Sequence, residues 1–314
     1  MATSGGKRDL LSIQDLGDGL PALLARAGAM KAARRRGDPS PTRPGTTLGM
    51  IFEKPSTRTR TSFEVAIHDL GGHAIYLSPR DMQLGRGETI ADTARVLSRY
   101  VDAVAYRAHR AADVRALAAA ASVPVINALD DREHPCQIVA DLLTLAERWD
   151  GRFAGRRLAY VGDGNNVLHS LLLGCAAVGL SITAATPAGY RPDPAIVAAA
   201  TATCARTGAA IAWTDRPADA ARSADALYTD VWVSMGDEAE AAAREKAFAG
   251  FQINADLVAL ARPDVWVLHD LPAHRGQEIT DEVMDGPRSA VFDQAENRLH
   301  AQKAILELLL PHRP

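Results

Sequence analysis

The residues best equipped for chemistry cluster at Glu53-Lys54-Pro55-Ser56-Thr57-Arg58-Thr59-Arg60-Thr61, which follow an apolar run and open a helical pattern. The first backbone N–H groups of a helix have no partner within it and carry partial positive charge. Ser and Thr hydroxyls add neutral donors, and Arg adds a planar charged fork. One hydroxyl at such a place is a helix cap. Three hydroxyls and two arginines within residues 55–60 exceed what capping needs, and suit a phosphate.

Other candidates stand at the ends of further apolar runs. Arg107 ends DAVAYR, and Asp130-Asp131-Arg132-Glu133-His134-Pro135-Cys136-Gln137 follows VPVINAL. His134 precedes a proline suited to the first helical position, and its ring can donate to a substrate oxygen. Taken singly, such an Arg is more often a surface residue and such a His a structural one. Later in the chain, Val161-Gly162-Asp163-Gly164-Asn165-Asn166 begins like a dinucleotide fingerprint. Val167 replaces its third glycine, and no acidic ribose ligand stands in a fitting place, which disfavours NAD. Asp230 ends another run and leads to Ser234-Met235-Gly236, and His269-Asp270-Leu271-Pro272 ends the last.

The elements that must position these residues follow from periodicity. Apolar runs at 46–52, 73–78, 102–107 and 123–129 read as strands. Helical spacing separates them, with Phe63, Ala66, Ile67 and Leu70 first, then Ile90 to Val101, then residues 111–122. The pattern restarts at Arg156 with RRLAYVGD, SITAATP, AAIAWTD, ALYTDVW and VWVLHDLP. Strand–helix alternation implies parallel sheets covered on both faces. The expected fold is therefore α/β, with two doubly wound parallel-sheet domains joined by a helix near 136–149. A last helix, roughly 294–310, ends the chain. In such sheets ligands bind beyond the carboxyl ends of the strands, where all these candidates fall.

Composition bounds the function classes. The chain has 314 residues, 47% hydrophobic and 23% charged, which excludes disorder of the bulk. A net charge of −3 argues against a nucleic-acid surface. The one basic cluster, Lys31 with Arg34, Arg35 and Arg36, reads as a helix end before Gly37-Asp38-Pro39. Neither a signal-peptide core nor a membrane-length apolar run is visible, and the three cysteines lack metal or disulfide spacing. A cytoplasmic location is the expectation.

Five segments taken together, FEKPSTRTRTSFE, HPCQ, DVWVSMG, LPAHRG and AENRLHAQKA, resemble the aspartate/ornithine carbamoyltransferase family over roughly residues 8–311. DVWVSMG resembles its ornithine-using branch. The resemblance implies a carbamoyl-phosphate domain over 1–149, completed by a C-terminal helix over 292–314 that packs back on it, and an ornithine domain over 150–291. It implies that Ser56, Thr57, Arg58 and Thr59 hold the phosphate. Arg107, His134 and Gln137 would hold the carbamoyl group, and Arg298 would complete that site. Gln83 would enter the neighbouring subunit's site, implying a trimer or a multiple of trimers. Asn166, Asp230, Ser234 and Met235 would hold the amino-acid end of ornithine, and the Leu271 carbonyl would face the carbamoyl amine. The implied reaction gives L-citrulline and phosphate from L-ornithine, with Arg107, His134, Asp270 and Arg298 as the catalytic set, and with no metal or organic cofactor. Closure of the two halves would exclude water from a labile substrate.

One position departs from the pattern. The family's ornithine branch mostly carries His-Cys-Leu-Pro where this chain has His269-Asp270-Leu271-Pro272. Either Asp270 pairs with the side-chain ammonium and accepts its proton, or the acceptor is another amine or diamino acid. Asp230 and the Ser-Met-Gly loop favour an α-amino acid. Two other classes are weaker: a non-catalytic relative should lack a carbamoyl-site residue, and an NAD enzyme should carry the full fingerprint.

Overall fold

The computed structural model describes residues 7–38, 42–78, 80–84, 86–233 and 238–312. Contacts divide the chain into two units, residues 1–139 with 298–314, and residues 140–297.

In chain order the first stretch carries α1 (Leu20–Arg35), β1 (Thr47–Phe52), α2 (Thr57–Asp69), β2 (His73–Leu77), α3 (Ile90–Leu97), β3 (Ala103–Arg107), α4 (Ala111–Ala120), β4 (Val125–Leu129) and α5 (Pro135–Trp149). The four strands pair in parallel in the order β2-β1-β3-β4. The chain therefore leaves β1 toward one edge and returns to build the other side from β3. The carboxyl ends of β1 and β3, where Phe52 lies opposite Arg107, flank the reversal. Every residue of β3 is buried, as expected of a strand covered on both faces. The basic cluster does close α1: Arg34 and Arg35 occupy its last turn, and Arg34 Nε lies 3.0 Å from Asp69 Oδ2. The third helix ends at Leu97, short of Val101. There Ser98 caps the helix and its hydroxyl donates back to the Ala94 carbonyl at 2.7 Å.

The second stretch carries β5 (Arg157–Val161), α6 (Asn166–Val178), β6 (Ser181–Ala185), α7 (Pro194–Thr207), β7 (Ile211–Thr214), α8 (Pro217–Ala221), β8 (Ala226–Thr229), α9 (Ala241–Ala247), α10 (Ala255–Ala259), β9 (Trp266–His269), α11 (Asp281–Met284) and α12 (Val291–Leu309). Its five strands are parallel in the order β7-β6-β5-β8-β9, so the reversal falls between β5 and β8. α6 starts at the Asn165 cap and stops at Gly179, whose φ of 77° is the left-handed conformation that ends helices. α12 ends in the first unit, because residues from Arg298 onward pack there.

Cys136, Cys175 and Cys204 are free and buried. No described helix is long and apolar enough to cross a membrane.

Candidate active site

In the first unit, the loops after β1, β3 and β4 and one residue of α12 build a buried polar centre. Ser56 caps α2, its hydroxyl accepting from the Thr59 N–H at 3.2 Å. Thr57 is exposed and Arg58 half-buried, while Thr59 is buried. Arg298 joins the loops: its Nη1 donates to Gln137 Oε1, and its Nη2 to Thr59 Oγ1 at 3.1 Å. Arg107, His134, Gln137 and Arg298 are all buried. Burial holds the His134 imidazole well below its ordinary value near 6.5, and the charges of Arg298, Arg107 and Arg58 push the same way. Guanidinium groups from three distant stretches of chain thus act on one neutral ring. Like charges gathered in a buried place raise its potential, and an anion lowers it.

Neighbouring residues hold these loops in place. Glu53 takes a bond from the Tyr106 hydroxyl and one from the His109 N–H, each at 2.7 Å, and so ties the loop after β1 to the end of β3. Asp130 Oδ1 accepts from the Arg132 and Glu133 N–H groups at 2.8 and 2.7 Å, and its Oδ2 accepts from Asn127 at 2.9 Å. Leu129 enters this turn with φ 149°, a conformation costly for a non-glycine residue. Gln83 lies exposed between β2 and α3, outside the buried centre.

The second unit gathers carboxylates at its own sheet reversal. Asp230 follows β8 and is buried. Asn165 donates to its Oδ2 at 2.7 Å, and the Val231 N–H to its Oδ1 at 2.7 Å. The Asn165 oxygen accepts from the Val167 and Leu168 N–H groups, which fixes which end of the amide faces Asp230. Asn166, half-buried, is the first residue of α6. The charges of Asp230, Asp163 and Asp270 all bear on the Tyr160 hydroxyl, which burial first and these carboxylates second push well above its ordinary value. Ser234 and Met235 lie outside the described residues.

Around Leu271 the backbone is set by a buried histidine. His269 Nδ1 accepts from the Leu271 N–H at 2.9 Å, and its Nε2 meets Glu278 Oε1 at 3.0 Å. Leu271 itself has φ 63°, left-handed for a branched residue, and is followed by a cis bond to Pro272. Asp270, next to it, is half-buried.

Two other uses of these residues fit poorly. Ligand atoms of Asp230, His269 and Asp270 come within 4.8 Å of one another, a spacing a cation could exploit. Both His269 nitrogens are already engaged, however, so only two carboxylates remain to hold it. The N-terminus of α6 does not await a pyrophosphate either, because the Asn165 side chain takes the Val167 and Leu168 N–H groups.

Asn165, Asp163 and Glu278 are the site residues that the motifs do not single out. Asn165 had a local signal, a capping residue type directly before an apolar helical run. Asp163 and Glu278 had none: the Arg244 that meets Asp163 stands 81 residues on, and Glu278 meets His269 across the irregular segment between β9 and α11.

Comparison with known proteins matches both halves of the chain to one family. Residues 8–147 match the family described as aspartate/ornithine carbamoyltransferase, carbamoyl-P binding domain, and residues 154–309 match its Asp/Orn binding domain. The chain is 56% identical over 306 residues to an ornithine carbamoyltransferase from Gloeobacter violaceus, covering 97% of this chain and 96% of that protein. It is 52% identical to an anabolic ornithine carbamoyltransferase from Pyrococcus furiosus, covering 99% and 98%. A solved ornithine carbamoyltransferase from Pyrococcus furiosus superposes with a TM-score of 0.94 at 52% identity, covering 98% of this chain and 99% of that one. One from Campylobacter jejuni, described as anabolic, superposes at 0.90 with 37% identity, covering 96% and 98%. With both domain models matched in order and more than half of the residues shared with such relatives, the chain belongs to the aspartate/ornithine carbamoyltransferase family.

Proposed function

We propose that this protein is an ornithine carbamoyltransferase, moving the carbamoyl group of carbamoyl phosphate to the δ-amine of L-ornithine. What carries the reading is that Arg298 of α12 bonds Thr59 and Gln137, with the charges of Arg298, Arg107 and Arg58 all disfavouring a charged His134, within the unit whose sequence matches a carbamoyl-phosphate domain. Carbamoyl phosphate is a dianion with a carbonyl. It calls for a cationic cradle and neutral donors, which Ser56, Thr57, Arg58, Thr59, Gln137 and Arg298 supply. The second unit offers Asp230 and Asp270 to a substrate with two ammonium groups, and Asn166 amide donors to its carboxylate.

The mechanism follows from these roles. The neutral δ-amine attacks the carbonyl carbon, and a C–N bond forms as the oxygen gains charge. Arg107, His134 and Thr59 stabilise that oxygen; removing one such donor typically costs about 10²–10³ in rate. His134 serves as a neutral donor, because its surroundings disfavour the imidazolium. The C–O bond to phosphate then breaks, Arg58 and Arg298 stabilise the departing phosphate, and one of its oxygens takes the amine proton. Asp270 orients the amine and shares its proton in this reading. Every step uses only these side chains and the two substrates.

Self-association as a trimer, or a multiple of trimers, is part of the same reading. β2 is an edge strand, and Ile75 on it is 41% exposed, while Val96 and Tyr100 nearby in the chain are 46% and 72% exposed. Gln83 lies exposed on the segment between these elements.

The test is ureido-product formation from carbamoyl phosphate with ornithine, putrescine, lysine or aspartate offered singly. Ornithine alone should give a strong signal, and a preference for any other amine would overturn the acceptor assignment. Arg58→Gly should abolish turnover with the thermal midpoint unchanged. A near-normal kcat in that variant would remove the phosphate cradle from the proposal.

A further inference from the structure

Three loops of the second unit meet on one side chain. Arg244, on α9, donates through Nη1 to Asp163 Oδ2 at 2.6 Å and to the Trp232 carbonyl at 3.1 Å. Its guanidinium carbon stands 5.2 Å from the centroid of the Tyr190 ring. Asp163 follows β5, Tyr190 follows β6 and Trp232 follows β8, so Arg244 spans the carboxyl edge of three adjacent strands.

The pair is largely withdrawn from water: the Arg244 and Asp163 side chains are 12% and 10% exposed. Phe248, one turn beyond Arg244, stacks on Trp232 with centroids 5.9 Å apart and meets Tyr190 edge-on at 4.9 Å. The β5 loop packs closely on the β6 loop: the Gly164 N–H donates to the Tyr190 carbonyl at 2.9 Å, and a Cβ on Gly164 would fall 2.4 Å from the Arg191 carbonyl carbon.

Charge gives the arrangement its meaning. Asp163, Asp230 and Asp270 share one neighbourhood around Tyr160, whose hydroxyl donates to the Asp163 carbonyl at 2.8 Å. Arg244 pairs with the first, while Asp230 and Asp270 are the two that the proposed function assigns to a substrate with two ammonium groups. It also anchors Trp232, two residues beyond Asp230.

We infer that Arg244 is a positioning residue for the amino-acid acceptor: it cancels the charge of Asp163 and fixes the chain that carries Asp230, without itself touching substrate. The inference rests on the function proposed above. Arg244→Gln leaves three carboxylates where two belong and releases Trp232. Substitutions that act on a ligand through other residues change its affinity by about 3- to 30-fold.

The test is steady-state kinetics on the full-length protein. Arg244→Gln should raise the ornithine KM by about 3- to 30-fold while the carbamoyl phosphate KM stays within about twofold. The same change in an Asp163→Asn background should have a smaller effect, because the charge to be cancelled is gone. An unaltered ornithine KM would overturn the inference. So would a parallel rise in both KM values with a matching fall in thermal midpoint, which marks a structural role only. Should Arg244→Gln fail to fold, Arg244→Met and Arg244→Ala, which also remove the charge, are read by the same criteria. A wild-type protein that makes no citrulline defeats the proposed function and this inference together; an active wild type with an indifferent Arg244 variant defeats the inference alone.

Discussion

Asp270 carries the most individual chemistry in the chain. A carboxylate beside an amine favours its charged form, so it raises the amine pKa and moves the reactive neutral form to higher pH. Asp270→Cys should therefore keep ornithine activity and lower the pH optimum of kcat/KM; an unmoved optimum separates Asp270 from the attacking amine. His134 makes a second pH-dependent contribution. Its imidazole is neutral in the fold but takes a proton once unfolded, so the unfolded chain binds more protons below the ordinary value near 6.5. Stability from this source is complete above that value and declines as pH falls. His134→Gln removes it, and thermal midpoints followed between about pH 6.5 and 5 should fall less steeply in the variant. Equal slopes would contradict the neutral, buried histidine. Single residues were also where the sequence was easiest to misread. Glu53 sits inside the phosphate-like motif, yet its carboxylate bonds Tyr106 and His109 and holds two loops together.

Helices and strands were legible because their causes are local. Apolar runs of strand length, capping residues and a glycine stop fall within a few positions of one another, and β5 through β9 lie where five such runs predict them. Which strand neighbours which is not local. The pairing of Asn165 with Asp230 joins residues 65 apart, and that of Arg244 with Asp163 residues 81 apart, and no periodicity records either. Strand order creates them, by bringing the ends of β5 and β8 side by side. Asn165 therefore does two jobs, capping α6 and orienting Asp230. Asn165→Ala should cost about 0.5–2 kcal/mol through the lost cap. It should also raise the ornithine KM, with denaturant unfolding and kinetics reading the two effects separately. A stability loss with an unchanged KM would show that Asp230 is oriented without it.

At the scale of the whole molecule, the four-stranded sheet ends, among the described residues, in the edge strand β2, which carries an exposed isoleucine. An association across this region would bring Gln83 to a neighbour. If Gln83 serves the adjoining subunit, two inactive proteins should rescue each other: refolding Gln83→Ala together with Arg58→Gly should yield more activity than the two separately. No gain on mixing, or a monomer by sedimentation, would exclude a shared site. The sequence carried the family and the division of labour because its motifs are contiguous; surfaces that meet other copies are assembled from scattered residues and leave no such run. The three cysteines lead elsewhere. Burial raises all of their pKa values, that of Cys136 to about 12, so almost none is present as the reactive thiolate. With a carboxylate and no thiol at position 270, this enzyme should keep its activity without added reductant and after treatment with iodoacetamide or a mercurial, and a loss of activity on such treatment would show a reactive cysteine.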